Sequence, residues 1–128
     1  MKHYLHNPLR ALFLSLAVLL SLPMLAVEVE IDGINYELNA EAKQATVISK
    51  IDRYSGEVII PESVEHEGTD YSVKSIGEYA FRDCSGLTSV TIGNSVESIG
   101  EYAFYNCSKL LDVYCYAENV PSTGSNAF

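Results

Sequence analysis

The sequence predicts a mixed, β-rich solenoid, in which short coils of the chain stack on one another through parallel strands. Residues 73–128 repeat with a period of 23, and apolar residues recur at constant places in each period. Each period also contains one stretch in which apolar and polar residues alternate, as they do in a strand. Residues 27–72 lack the repeat and predict a small N-terminal β cap.

The first 26 residues predict a signal peptide. Residues 1–10 contain two basic residues and no acid, and residues 11–27 contain no charge. A basic start followed by an apolar core is the layout of a secretory signal. An uncleaved membrane anchor is the alternative, but 17 uncharged residues interrupted by Pro23 fall short of the ~20 that span a bilayer. We therefore expect a secreted or cell-surface protein.

The charge balance restricts the class of partner. Without residues 1–26 the chain keeps six basic and seventeen acidic residues, a formal net charge of −11. Such an acidic chain is repelled by the phosphates of nucleic acids and by anionic membrane surfaces. We expect no nucleic-acid partner, and membrane contact only through the export signal.

Three strands and two hairpins are predicted in the cap. Residues 27–31 and 34–38 alternate apolar and polar side chains around an Asp-Gly dipeptide, which favours a tight hairpin turn. Residues 44–48 predict a third strand, and a turn-rich insertion around Glu67 predicts a second hairpin. A cap of this kind covers the first coil, at the place where stacking begins.

The repeat predicts two full coils and a truncated third within residues 73–128. The segment IGEYAF at 76–81 recurs unchanged at 99–104. We expect a short strand and a single helical turn there, with the glycine permitting a tight corner. In the second strand of the first coil, Val90 and Ile92 should point inward. The sequence stops partway through the third coil, so the last full strand is predicted to have a free edge.

The repeat pattern resembles that of a known family. The pattern V-x-S-I-G-x-x-A-F-x-x-C-S-x-L-x-x-V-x-I, which begins at Val73, is similar to the BspA-type leucine-rich repeat of bacterial and protist surface proteins. The resemblance covers about residues 55–128, with departures at Gly93, where the family commonly has proline, and at Cys115, which replaces a branched aliphatic residue. It implies a leucine-rich-repeat solenoid, extracellular display, and adhesion or other protein binding.

The three cysteines are predicted to be free thiols in the core. Cys84 and Cys107 occupy the same place in adjacent coils, and Cys115 occupies the place of Ile92. Neighbouring strands lie ~4.8 Å apart, which holds ladder Cβ atoms farther apart than the ~3.8 Å usual in a disulfide. A Cys84–Cys107 disulfide remains the alternative. The spacings match no compact pair of zinc ligands.

The sequence contains no recognisable catalytic constellation. One histidine, His66, follows the signal, and it lies in the predicted second hairpin. A single histidine there supports neither a Ser-His-acid nor a Cys-His arrangement. The acidic residues lack the spacing of a calcium loop. We expect no enzymatic activity, no metal and no cofactor.

The candidate ligand-binding surface is the outward row of the parallel strands. Its predicted members are Ser89, Thr91, Asp112, Tyr114 and Tyr116. Two neighbouring tyrosines suit a binding anchor, because tyrosine is enriched at interfaces. The alternative is that they only shield an edge strand. A patch of roughly 17 by 10 Å is small against the ~800 Å² per partner of a standard interface.

Two functions follow from these observations. The first is protein binding or adhesion to host or neighbouring cells, with a protein ligand of unknown identity. The second is a structural role as the truncated N-terminal fragment of a longer repeat protein. A truncated chain of this kind is expected to self-associate through its open C-terminal coil, because a free strand edge readily pairs with another chain.

Overall fold

The computed structural model describes residues 26–128. The predicted signal peptide, residues 1–26, lies outside the described residues except for its last position. Within residues 26–128 the structure has no helix that is long and apolar enough to cross a membrane.

Two sheets contain the strands of the described region. The strands in chain order are β1 (Val27–Ile31), β2 (Ile34–Asn39), β3 (Gln44–Val47), β4 (Ser55–Ile60), β5 (Ser63–His66), β6 (Thr69–Ile76), β7 (Gly86–Ile92), β8 (Ser98–Ile99), β9 (Asp112–Cys115) and β10 (Ser122–Thr123). One sheet has seven strands in the order β1-β2-β3-β6-β8-β10, with β5 paired to β6. The other has three, in the order β4-β7-β9.

The cap has the predicted strands and hairpins. Strands β1 and β2 pair antiparallel, β2 pairs antiparallel with β3, and β5 pairs antiparallel with β6. In the β1–β2 turn both Asp32 and Gly33 have positive φ angles, of 49° and 82°. Glu67 and Gly68 in the β5–β6 turn repeat this arrangement, with φ angles of 49° and 79°. Turns of this kind match the right-handed twist of the strands that they connect.

The coils stack through parallel strands in both sheets. Strands β3, β6, β8 and β10 form one parallel series, and β4, β7 and β9 form the other. Val58 of β4 pairs with Val90 of β7, which pairs in turn with Val113 of β9. The β-rich solenoid of parallel strands is therefore confirmed. The division between cap and solenoid at residue 73 remains a prediction, and β4 already lies in the ladder before it.

The core lies between the two sheets. Val90 and Ile92 point inward, as predicted, and are fully buried. From the other sheet, Val73, Ile76 and Ile99 face them and are also buried. Residues 26–128 contain no buried side-chain nitrogen or oxygen that lacks a hydrogen-bond partner, so the interior combines apolar packing with satisfied polar groups.

The prediction of a single helical turn in the IGEYAF segment is wrong. Residues 78–83 form consecutive turns, in which Ala80 N–H donates to Gly77 O at 3.2 Å and Arg82 N–H donates to Tyr79 O at 3.1 Å. Tyr79 and Asp83 have positive φ angles of 60° and 58°. Left-handed residues interrupt a right-handed helix, so no helical turn forms.

The backbone of these turns bonds to the next coil instead. Tyr79 N–H donates to Glu101 O at 3.0 Å, and Phe81 N–H donates to Ala103 O at 2.7 Å. Asp83 N–H continues the series to the carbonyl of Tyr105 at 2.9 Å. The left-handed residues turn alternate N–H groups along the stacking direction, which satisfies them between coils.

A stack of four aromatic rings runs through the coils and into the cap. The ring centroids of Tyr54 and Phe81 are 4.6 Å apart, those of Phe81 and Phe104 are 4.9 Å apart, and those of Phe104 and Phe128 are 5.2 Å apart. The Tyr54 hydroxyl donates to the carbonyl of Ile48 at 2.7 Å. Burial raises the pKa of Tyr54 to about 12. Tyr54 thus joins the cap to the repeat.

Burial decreases at the β9 end of the three-stranded sheet. Val90 is fully buried, whereas Val113, at the same place in the next coil, is exposed. Ile92 is likewise buried, whereas Cys115 is exposed. The prediction that Cys115 lies in the core is therefore wrong, because a residue of this row is covered only when a further strand lies over it. In the described part of the chain β9 pairs with β7 alone, which leaves its outer edge free.

Candidate functional site

The candidate site is the outward face of the three-stranded sheet. Each strand contributes one residue to a polar row, in which Glu57, Ser89 and Asp112 are register partners. Glu57 and Asp112 are exposed, and Ser89 is half-buried between them. Neighbouring strands lie ~4.8 Å apart, so the backbones of Glu57 and Asp112 flank that of Ser89 at about 10 Å from each other.

A second row lies two residues farther along the strands. Ile59, Thr91 and Tyr114 are register partners in it. Ile59 is 61 % exposed and Tyr114 is 51 % exposed. Tyr116 follows β9 and is 66 % exposed, and its N–H donates to Ile92 O at 3.0 Å, which continues the ladder. The face therefore joins an acidic row to an apolar and aromatic row.

The predicted binding residues lie together on β7, on β9 and just after β9. They are Ser89, Thr91, Asp112, Tyr114 and Tyr116. Their pairing in register follows from the 23-residue period. Their role as a ligand-binding site remains a prediction.

Sequence reasoning missed the contribution of β4 to this face. Glu57 and Ile59 lie in an outward row that begins one strand earlier than predicted. The sequence does show residues 58–64 as the end of a coil, at an offset of 32 instead of 23 because a hairpin is inserted. The outward row was not extended to Glu57 and Ile59 on that basis. The core positions Val58 and Ile60 mark β4 as a strand of the same ladder.

The three cysteines are free thiols that differ in burial. Cys84 is buried, Cys107 is half-buried and Cys115 is exposed. Burial raises the pKa of Cys107 to about 11 and also raises the pKa of Cys84. The Cys107 thiol donates to the carbonyl of Phe81 at 2.9 Å. Both thiols therefore stay protonated and weakly nucleophilic at neutral pH.

The described residues form no compact arrangement of metal ligands. Within residues 26–128, no group of three or more His, Cys, Asp or Glu side chains is placed to hold a metal ion. His66 lies at the end of β5, with Nε2 3.9 Å from a carboxylate oxygen of its neighbour Glu67. His66 and Glu67 are adjacent residues of the second hairpin, and they are only two of the three or more side chains that such a group requires.

The repeat, its register and its outward rows agree with a known family. The family model for the BspA type leucine rich repeat region, in six copies, matches residues 57–128, more than half of the chain. The chain belongs to the BspA-type leucine-rich-repeat family. This family is generally a non-enzymatic protein-interaction fold. Comparison with curated proteins gives no match.

Solved structures of bacterial leucine-rich-repeat proteins are similar to this BspA-type chain. A leucine-rich repeat protein from Bacteroides capillosus is 35% identical, with a TM-score of 0.69, over 79% of this chain and 73% of the other. A leucine rich cell surface protein from Faecalibacterium prausnitzii is 32% identical, with a TM-score of 0.62, over 77% of this chain and 26% of the other. A leucine-rich repeat protein from Bacteroides ovatus is 33% identical, with a TM-score of 0.58, over 73% of this chain and 23% of the other.

Proposed function

We propose that this BspA-type protein is exported and binds other proteins, in adhesion to host or neighbouring cells, through the outward face of β4, β7 and β9. The observation that carries the proposal is the row of Ile59, Thr91 and Tyr114, in which Ile59 and Tyr114 are exposed and Thr91 is half-buried. The exposed Tyr116 extends this row. Large side chains exposed together on a rigid sheet are typical of interaction surfaces. Membership in a protein-interaction family supports this role.

Export and surface display are part of the proposal. Residues 1–26 have the composition of a secretory signal. One similar solved structure is described as a cell surface protein. A non-enzymatic role agrees with both, because display and adhesion require only an exposed binding surface.

The size of the face limits its affinity. Three strands of about five residues make a patch of roughly 17 by 15 Å, a few hundred Å², against ~800 Å² per partner in a standard interface. We therefore expect weak binding by a single copy. Many copies displayed on one surface would strengthen attachment through avidity.

Loss of the two outward tyrosines should weaken this binding. For the combined Tyr114→Ala and Tyr116→Ala variant we expect an affinity at least about 10-fold lower, because aromatic anchors contribute on the order of 1–2 kcal/mol or more each. Biolayer interferometry against a panel of extracellular-matrix and cell-surface proteins measures the change. The protein is purified after export from a bacterial host.

Tyr105→Ala is the matched control for this experiment. Tyr105 is similarly exposed but lies on the turn side of the coils, where its ring meets the edge of Tyr102. The control should bind as the unchanged protein does. An equal loss in the control would contradict the assignment of the face, and an unchanged protein that binds no member of the panel would contradict adhesion.

A second candidate function is a structural role within a longer repeat array, with self-association through the open coil. The free edge of this open coil is formed by β9 and the residue before it, Leu111. Leu111, Val113 and Cys115 are all exposed, and β9 has a free edge within the described region. A second copy that paired along β9 would cover these side chains and the free backbone groups.

Light scattering tests self-association. We expect the average mass of the unchanged protein to rise with concentration. Val113→Glu should abolish the rise, because a contact through β9 would bury the added charge. Ile51→Glu is the control, since Ile51 is also exposed but lies in the loop before β4. A mass independent of concentration in the unchanged protein would overturn this candidate.

A further inference from the structure

We propose that the free edge of β4 is a second binding site, which receives an extended, basic segment of a partner protein as an added strand. The proposal rests on the proposed function only in that the chain binds proteins. It concerns the edge of the three-stranded sheet, where the main-chain groups of β4 point. This edge shares Glu57 and Ile59 with the outward face and lies two strands away from Tyr114.

The cap leaves this edge open. The cap extends the seven-stranded sheet, because β3 pairs with β6, β2 pairs with β3, and β1 pairs with β2. It adds no strand beside β4, which pairs only with β7 among the described residues. One side of β4 therefore presents main-chain N–H and C=O groups that can pair with another strand.

A groove lies along the open edge. It has a volume of about 540 Å³, and its walls include the β1–β2 turn at Asp32, the loop at Asp52 and Arg53, and Glu57 and Ile59 of β4. This volume falls within the range of ~300–1,000 Å³ that is typical of ligand-binding clefts. The β1–β2 turn and the loop before β4 form walls on which the side chains of an added strand can rest.

The charges of the groove favour a basic occupant. The carboxylates of Asp32, Asp52 and Glu57 line it, and none of them forms an ion pair within residues 26–128. The two basic side chains that line the groove, Lys50 and Arg53, already have partners within the chain. Lys50 Nζ lies 2.6 Å from a carboxylate oxygen of Glu30, and Arg53 Nη1 donates to a backbone carbonyl at 2.8 Å. Lysine or arginine side chains from a partner would therefore pair with free carboxylates.

The same charges disfavour a second copy of this chain as the occupant. The other free edge of the three-stranded sheet is β9, which begins with Asp112. Added parallel to β4 in the register of the ladder, β9 would place Asp112 beside Glu57. Like charges directly opposite on neighbouring strands are destabilising, and without residues 1–26 each copy carries a formal net charge of −11.

The side chains of β4 specify the pattern of the added strand. Glu57 and Ile59 point to the same side, two residues apart. An added strand therefore fits best with a basic residue beside Glu57 and an apolar residue beside Ile59. An eight-residue peptide of the unit Lys-Thr-Val-Thr, repeated twice and capped at both ends, has this pattern on one side.

Titration with this peptide, followed by amide chemical shifts in NMR spectra, tests the site. We expect the largest shifts in Ser55–Ile60 and slower hydrogen exchange of amides there. A peptide with glutamate in place of lysine should not bind, and a peptide with N-methyl groups on alternate amides should not bind either. Shifts centred on β9, or equal binding of the N-methylated peptide, would overturn strand addition at β4.

Two double variants that change the net charge equally distinguish ion pairing in the groove from general attraction of a basic peptide to an acidic protein. Asp32→Asn with Asp52→Asn should weaken peptide binding about five- to tenfold, as expected for the loss of two exposed ion pairs. Glu65→Gln with Glu67→Gln changes the net charge equally, but on the exposed second hairpin, and should change binding less than about twofold. Equal weakening in both variants would overturn the assignment to the groove.

The Tyr114→Ala and Tyr116→Ala variant separates this inference from the proposed function. It should bind the peptide normally, because the two tyrosines lie on and just after β9, two strands away from β4. If the peptide does not bind while the tyrosine variant still loses protein binding, the β4 site alone is wrong. If the peptide binds at β4 but the tyrosines have no effect on protein binding, the outward face alone is wrong.

Discussion

Replacement of Phe81 by alanine is expected to lower the free energy of unfolding by about 3–5 kcal/mol, as for other fully buried aromatic residues. Phe81 is completely buried, and its ring lies between those of Tyr54 and Phe104. The substitution removes the ring that lies between Tyr54 of the cap and Phe104 of the second coil. Domains of this size have a total stability of about 5–15 kcal/mol, so much of it would be lost.

Urea unfolding followed by far-UV circular dichroism measures this loss, and tyrosine fluorescence gives a second probe because the chain has no tryptophan. Phe128→Ala is the matched control. Its ring stacks on that of Phe104, but the side chain is 62 % exposed. We expect the control to lose less than about 1 kcal/mol, since little apolar area returns to water. Equal losses would show that the stack does not stabilise the fold through burial.

The repeat made the order and register of the parallel strands predictable. A period of 23 sets Val90 beside Val113, and the structure places them so. The turns were not predictable in the same way. Tyr79 has a positive φ angle that its side chain disfavours, and bonding of its N–H to the next coil accompanies this conformation. That bond depends on how the coils stack, which local preference does not reveal.

The candidate site was predictable only in part, for a related reason. The pattern of β7 and β9 identifies Thr91 and Tyr114 as outward residues, but Ile59 joins them only because β4 pairs with β7 across an inserted hairpin. The burial of Cys115 was mispredicted because alternation within a strand indicates the side to which a residue points. It does not indicate whether another strand covers that residue.

Gly100→Ala is expected to destabilise the protein by about 3 kcal/mol, at the upper end of the range for overpacking. A Cβ atom at Gly100 would lie 2.5 Å from the backbone nitrogen of Glu78 and 2.7 Å from the carbonyl carbon of Gly77. These are backbone atoms of the preceding coil, so relief requires the two coils to move apart. Gly100 does not have a positive φ angle. Close approach between coils, and not the tight corner predicted from the sequence, therefore requires glycine here.

Gly86→Ala is the matched control for this experiment, with thermal unfolding as the measurement. A Cβ atom at Gly86 would lie 3.2 Å from the Cβ atom of Ser55 on an exposed part of β4. Alanine is favoured over glycine within a strand by roughly 0.5–1 kcal/mol, which offsets a contact of this size. We expect the melting temperature to change little in this variant and to fall by more than about 10 °C in Gly100→Ala. A similar, small change in both would mean that the coils can separate at Gly100 without cost, and that the spacing of the solenoid is set by its aromatic stack instead.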